Sequence, residues 1–444
     1  MDERGKMNRP GTFKRGIHPQ YDGKDLTASS GIVDAPLLEK YYVILPENTG
    51  RPPVPCVAKG DTVKKYQLIA EADGFLSVPL HAPTSGVIGG IVEVPGGAGV
   101  PVPAVEILAD GKDEGDPPFE RWERWEEKSG KELIDRIREA GIVGMGGAAF
   151  PSHVKLSVPP GKKVDTLIIN GAECEPYLTA DHRLMVESPE KVITGAAIMK
   201  RILNVENVFI GVELNKPDAI AALEKCAHST GIQVFPLKVR YPQGAEKQLI
   251  YAITGREVPG GGLPFDAGCV VQNSGSALAI CEAVLEGIPL VERIVTVSGE
   301  AVKRPGNFRL KIGTPIIEAV KLAGGVTIEP GKLLIGGPMM GFAQRSFDVP
   351  VAKNTSGILL FPPGAALNFS SSPCIRCGRC VEACPMGLAP CLLCAAIEGG
   401  RFDLAQKGHV MDCLECGACA YVCPARRPLV QQFRRAKAQL RRKK

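Results

Sequence analysis

The sequence predicts a multidomain α/β protein: a compact β domain, an α/β domain with a mostly parallel sheet, a small β-grasp unit and a helical, cysteine-rich C-terminal domain. Three observations carry that reading. A chain of 444 residues is too long for one ordinary hydrophobic core. Its apolar periodicity changes character along the chain, from short β-branched runs to strand–helix alternation and back. Ten of its fifteen cysteines fall between Cys374 and Cys423, a crowding that indicates metal ligands rather than disulfides in so large a chain.

The elements follow in order. Residues 1–40, including FKRGIHPQYDGKDL, are polar, rich in Gly and Pro and without a sustained period, so an extended arm is expected. Over 41–112, the runs YYVIL, GVIGGIVEV and PAVEIL alternate with Gly and Pro turns, as a compact β domain requires. Its phrase HAPTSGVI, His81 to Ile88, resembles the turn region of biotinyl and lipoyl carrier domains. No lysine stands at the turn to carry a prosthetic group, so a structural β hammerhead (barrel-sandwich) is expected. Residues 113–290 are the α/β region. A charged helix is expected from Phe119 through FERWERWEEKSGKELIDRIREAG, leading into GMGGAAFP. VDTLIIN then reads as a strand and SPEKVITGAAIMKRILN as a helix with Ser188 as N-cap and Pro189 at its first position. VENVFIGVEL is a second strand and KPDAIAALEKCAHS a second helix, an alternation that implies a layered parallel sheet. Over 291–365, two strands flank an Arg-Pro-Gly turn and a helix starts at Thr314-Pro315, the pattern of a β-grasp unit. Residues 366–428 hold the cysteine-rich region and 429–444 a basic tail.

The formal charge is +5, but from Arg426 onward there are nine Lys or Arg and no acid, so the preceding residues carry 5 − 9 = −4. The basicity belongs to the tail and not to a nucleic-acid-binding face. That tail reads evenly as a solvated helix or as a contact for anionic lipid or an acidic partner, its apolar residues Leu429, Val430, Phe433 and Leu440 being few. No run of about eighteen residues lacks strongly polar ones and MDERGKMNRP leads into no apolar core, so neither a membrane span nor a signal peptide is expected.

Cys374, Cys377, Cys380 and Cys384 stand at C-x2-C-x2-C-x3-C-P, and Cys413, Cys416, Cys419 and Cys423 repeat that spacing. Two-residue gaps let a tight loop wrap three thiolates around one 4Fe-4S cluster, while the fourth Cys, before the proline, serves the other cluster. The expected ligand sets are therefore Cys374, Cys377, Cys380 and Cys423 for one cluster, and Cys413, Cys416, Cys419 and Cys384 for its partner. Zinc would use paired CxxC knuckles and has no need of the third Cys. Cys391 and Cys394 share a face of the connecting helix, as ligands or as packed thiols.

Upstream, Gly144, Gly146 and Gly147 in GMGGAAFPSHVK let backbone amides approach a phosphate, with Lys155 adding charge. NGAECEPY places Asn170, Glu173 and Glu175 at a strand's C-terminal end, where open α/β sheets bind ligands. These two phrases resemble GRGGAGFPTGxKW and NADESEPG, the flavin site of the NADH-oxidising subunit of respiratory complex I. From Phe13 to about Arg427 the chain is similar, more closely still, to the C subunits of Rnf complexes, membrane-bound ferredoxin:NAD oxidoreductases. They share the GIHP arm, the hammerhead, the flavin domain, a soluble-ligand-binding β-grasp (SLBB) unit and the two-cluster module, in this order.

The resemblance implies FMN held by Gly144, Gly146, Gly147, Lys155, Asn170 and Asn273, with Phe150, Glu175 and Glu246 where NAD(H) binds. Met145, Ala172, Ala245 and Gln272 depart from the complex I pattern, which has Arg, Asp, Glu and Asn there. It further implies electron transfer between ferredoxin-linked membrane subunits and NAD, ion translocation by the complex, and a peripheral place on the cytoplasmic side of the inner membrane. No catalytic acid or base is needed, because hydride transfer is done by the cofactors. A cobalamin reductase of bacterial microcompartments, built from similar parts, and a non-catalytic cluster-bearing scaffold are the rival readings.

Overall fold

The computed structural model describes residues 10–97, 99–365 and 370–442. The first nine residues of the expected arm, the 366–369 start of the expected cluster module and the last two lysines of the tail lie outside the described residues.

The β domain is a sandwich of two small sheets. Lys40–Ile44, Pro101–Ala109, Gly86–Pro95 and Thr62–Val63 pair antiparallel in that order, while Val54–Pro55, Leu68–Glu71 and Leu80–His81 form the second sheet. Tyr41 and Val43 on one strand and Val105 and Ile107 on its neighbour turn inward at the two-residue period of a pleated sheet. HAPTSGVI is packed into this core. His81 and Thr84 are buried, and burial, then the nearby charge of Lys353, pushes the His81 imidazole down to about 3, so it is held neutral.

The α/β domain has a parallel sheet in the order Ile232–Leu237, Asn207–Glu213, Thr166–Gly171, Cys269–Asn273. Covered on both faces, its strands are the near-continuous apolar runs the sequence displays. Helices Pro189–Leu203 and Pro217–Ala227 stand as expected, with Pro189 at the first helical position, although Ser188 makes no side-chain capping bond. Two elements differ. The helix expected from Phe119 starts only at Gly130, where Ser129 and Glu132 form a reciprocal capping box. Before it the chain runs as a loop whose Trp122 ring lies 3.8 Å from the Arg136 guanidinium. A helix not expected from the sequence, Ala180–Glu187, begins where the Glu173 carboxylate accepts from the N–H groups of Asp181 (2.8 Å) and His182 (3.0 Å).

The β-grasp sheet runs Ile32–Asp34, Gly306–Lys311, Glu292–Ser298, Gly357–Phe361, Lys332–Ile335, Phe342–Gln344, backed by helix Ile316–Leu322. Its edge strand belongs to the arm, which pairs parallel to Gly306–Lys311. The arm also bridges the α/β domain at Gly11–Leu237 and Ile17–Tyr241, so it straps two domains together.

The cysteine-rich domain is helical, with Arg379–Ala383, Pro390–Glu398, Phe402–Lys407, Ala418–Tyr421 and Leu429–Arg441. The last is the helix of the basic tail, read from the sequence evenly as solvated or as a contact for anionic lipid or an acidic partner. Instead it closes this domain: Leu429, Phe433 and Ala436 are buried, and Lys437 donates to the Cys413 carbonyl (2.6 Å) and pairs with Glu415 (2.8 Å). Its apolar face is thereby taken up inside the protein. Among the described residues no helix is long and apolar enough to cross a membrane.

Candidate functional site

The glycine loop lies between helices Gly130–Glu139 and Ser152–Leu156, closed by the Gly144 N–H donating to the Phe150 carbonyl (2.8 Å). Its carbonyls are held from outside. The Met145 carbonyl accepts from Arg293 Nη2 (2.7 Å), that of Gly147 from Asn354 Nδ2 (3.4 Å), that of Ala148 from Thr49 Oγ1, and that of Ala149 from the Thr49 N–H (3.0 Å). The amides are not. Among the described residues, none of the N–H groups of Gly146, Gly147, Ala148, Ala149 or Phe150 donates a hydrogen bond within the protein. Five successive unpartnered donors form a cradle for an anion.

The predicted residues gather around this loop in two groups. Asn273 caps helix Ser274–Cys281 through Gly275 N–H (2.8 Å) and donates to Asp181 (2.7 Å). A Cβ on Gly146 would lie 2.9 Å from Asn273 Nδ2, so only glycine permits this approach, whereas Gly147 faces open space. Ser274, at the same helix start, is fully buried and its hydroxyl has no partner, a second donor aimed at nothing in the protein. On the other side, Asn170 Nδ2 donates to the Gly244 carbonyl (2.8 Å), and Lys155 pairs with half-exposed Glu246 (2.9 Å). Phe150 is half-buried at the loop's exit. The residues present fit a phosphorylated flavin: free amides, a helix start, an amide side chain and a lysine are the donor set an anionic ligand requires.

Glu173 and Glu175 are set elsewhere. Glu173 is spent on capping helix Ala180–Glu187. Glu175 sits at the meeting of three domains: its Oε1 faces the Tyr241 hydroxyl (3.3 Å), and its Oε2 accepts from Met339 N–H (3.1 Å) of the β-grasp loop, where a Cβ on Gly337 would collide with it. Burial pushes its carboxyl up to about 7 against these donors. Tyr241 in turn donates to the Cys416 carbonyl (2.7 Å). Two buried lysines that sequence reasoning missed hold this acidic loop. Lys24 of the arm donates to the carbonyls of Glu173, Glu175 and Leu178 (2.9, 2.9 and 2.5 Å), and Lys216 to that of Ala172 (2.7 Å). A lone lysine in DGKDL carries no signal of such a role; Tyr241, five residues before Glu246, was the one within reach of the motif reading.

The eight motif cysteines fall into two neighbourhoods. Cys384, Cys413, Cys416 and Cys419 line one small cavity, closed by Pro385, Leu388 and Phe433. Cys380 has Cys391 and Cys423 close by; burial, then their charges, push its thiol up to about 11. Cys374 and Cys377 are exposed beside it in sequence. Among the described residues no three His, Cys, Asp or Glu are drawn together as the shell of a single metal ion. The four thiols around one cavity, three from one motif and the fourth from the other, fit the crossed ligation of a cubic cluster. Cys394 is buried 3.9 Å from Arg427, packed rather than gathered with the others.

The cavity of Cys384 and Cys416 faces the flavin-type domain, touching it through Tyr241 and through Gln248, which donates to the Pro385 carbonyl (3.3 Å). Fold and site together define an iron–sulfur flavoprotein built on the complex I plan. Family models match in the same order: the RnfC barrel sandwich hybrid domain over 11–112, the Nuo51 FMN-binding domain over 137–282, the SLBB domain over 294–343 and the 4Fe-4S dicluster domain over 366–424. The chain is 49% identical to the C subunit of the proton-translocating ferredoxin:NAD(+) oxidoreductase complex of Clostridium ljungdahlii, over 96% of this chain and 94% of that one. It is 46% identical to the C subunit of the Na(+)-translocating complex of Acetobacterium woodii, over 97% of each. It is 45% identical to the C subunit of the ion-translocating oxidoreductase complex of Rhodobacter capsulatus, over 97% and 83%. The chain belongs to this family, the C subunits of Rnf complexes. Among solved structures, an NAD+-reducing NiFe hydrogenase chain shares the fold at 18% identity and TM-score 0.50, over 70% of this chain and 66% of that one.

Proposed function

We propose that this protein forms the NAD(H) site of an Rnf-type complex and passes electrons between ferredoxin-linked membrane subunits and NAD through FMN and two 4Fe-4S clusters. It would do so from the cytoplasmic face of the inner membrane, with ion translocation carried by its partners. The observation that carries this reading is the row of unpartnered amides from Gly146 to Phe150, in the same domain on which the cavity of Cys384, Cys413, Cys416 and Cys419 is docked. When bound, FMN supplies the exchange between hydride transfer and single-electron transfer. The protein's own part is placement. Gly146, Gly147, Asn273, Ser274 and Lys155 bind and orient the flavin, and Tyr241 fixes the Cys416 loop against the same domain. The second ligand set, containing exposed Cys374 and Cys377, lies toward solvent and would exchange electrons with the partner. Names carried by relatives at 45–49% identity favour this reading over a cobalamin reductase or a scaffold.

The test is anaerobic. The full chain, reconstituted with iron, sulfide and FMN, is titrated with NADH while flavin absorbance and cluster EPR are followed. Rapid bleaching of bound flavin is expected. A protein that takes up about eight irons but neither binds FMN nor responds to NADH would be a relay or scaffold.

A further inference from the structure

The donors that hold the glycine loop come from its neighbours. Arg293 and Asn354 belong to the β-grasp region and Thr49 to the β domain. In a planar trans peptide the C=O and the following N–H point in opposite directions. Each carbonyl tied back to a neighbour therefore turns the next amide away from it. The Arg293 bond to Met145 aims the Gly146 N–H, the Asn354 bond to Gly147 aims that of Ala148, and the two Thr49 bonds to Ala148 and Ala149 aim those of Ala149 and Phe150.

Resting on the flavin reading above, we propose that Arg293, Asn354 and Thr49 are positioning residues for the cofactor. By holding the loop's carbonyls from two flanking domains, they present its amides to an anionic oxygen of the flavin. Arg293 is the keystone of the three. It is buried, donates to the carbonyls of Thr355 and Lys353 (the latter 2.7 Å) as well as Met145, and has Asp181, Glu173 and Glu47 as counter-charges. Two of its bonds lie within its own domain; the third reaches across to the loop, which carries Met145 where the complex I pattern has an arginine of its own. The anionic oxygen is either the FMN phosphate or the pyrimidine oxygen that gains negative charge on flavin reduction.

The experiment compares Thr49→Val, Asn354→Ala and Arg293→Lys in the full, cluster-loaded chain, measuring affinity for FMN and for riboflavin and the flavin midpoint potential. Thr49 and Asn354 are exposed, so their variants test the idea even where Arg293→Lys fails to fold. Each is expected to weaken FMN about three- to tenfold, the effect of one lost hydrogen bond, and Arg293→Lys by more. FMN weakened with riboflavin unchanged identifies the phosphate as the oxygen; both weakened with a lowered potential identifies the pyrimidine oxygen. FMN affinity and potential within about twofold of the unmodified protein, or equal weakening of both flavins at unchanged potential, would overturn the proposal. Unmodified protein that binds no FMN would instead remove the functional reading on which it rests.

Discussion

Replacing Glu175 by glutamine should stabilise the protein in alkaline buffer and leave it unchanged in acid. Tyr241 has one proton and gives it to the Cys416 carbonyl at 2.7 Å, so its own oxygen is free to accept. A protonated Glu175, or the Nε2 of a glutamine, can donate to that oxygen at 3.3 Å while the other side-chain oxygen accepts from Met339. Burial penalises the carboxylate and lifts the group from 4.5 to about 7, against the Met339 and Met340 amides, the Tyr241 hydroxyl and the charge of Lys24. A carboxyl raised on folding contributes nothing adverse below its ordinary value. As pH rises from 4.5 to about 7 the unfolded chain ionises first, and stability falls. A shift of that size corresponds to about 3 kcal/mol, all of it lost by pH ~8. Urea unfolding from pH ~4 to ~9, with both proteins in the same cofactor state, should show Glu175→Gln nearly equal to the parent near the acid limit and about 3 kcal/mol more stable at the alkaline one. A difference independent of pH, or a variant weaker throughout, would refute the argument from Tyr241.

Cys384→Ser should abolish the cluster of Cys413, Cys416 and Cys419 while sparing the other, taking iron from about eight to about four per chain with one EPR signal kept; loss of the other signal would mean the motifs are not crossed. Ser129→Ala should cost about 1 kcal/mol by breaking the capping box, read as a lowered unfolding midpoint. A change under about 0.3 kcal/mol would show that tertiary packing alone sets that helix start.

Signals made of local repetition were legible in the sequence. The cysteine spacing, the strand–helix alternation and the Pro189 helix start depend on residues near each other in the chain, and the structure has the alternation and the helix start where they are expected. The charged run after Phe119 misled because high charge suits both loop and helix, and the deciding signal was the Ser129–Glu132 pair inside it. Helix Ala180–Glu187 was hidden because its cap, Glu173, is a side chain from the preceding loop rather than the residue before the helix. The amide cradle was legible as glycines, but what holds it was not: Arg293, Asn354 and Thr49 lie far away in sequence and in other domains. Glu173 and Glu175, alike in the motif, differ in surroundings that no motif records.

The arm has a consequence for how the protein comes into being. Within it, Asp34 pairs with Arg309, 275 residues later, and Lys24 must find carbonyls near residue 175. Contacts so distant in sequence form slowly and only after their partners have been translated. The acidic loop beside the cradle is thus braced late, once the β-grasp sheet exists to receive the arm's strand. The order of assembly is thus part of the fold: the loop beside the cradle gains its brace only once the strand around residue 309 is in place.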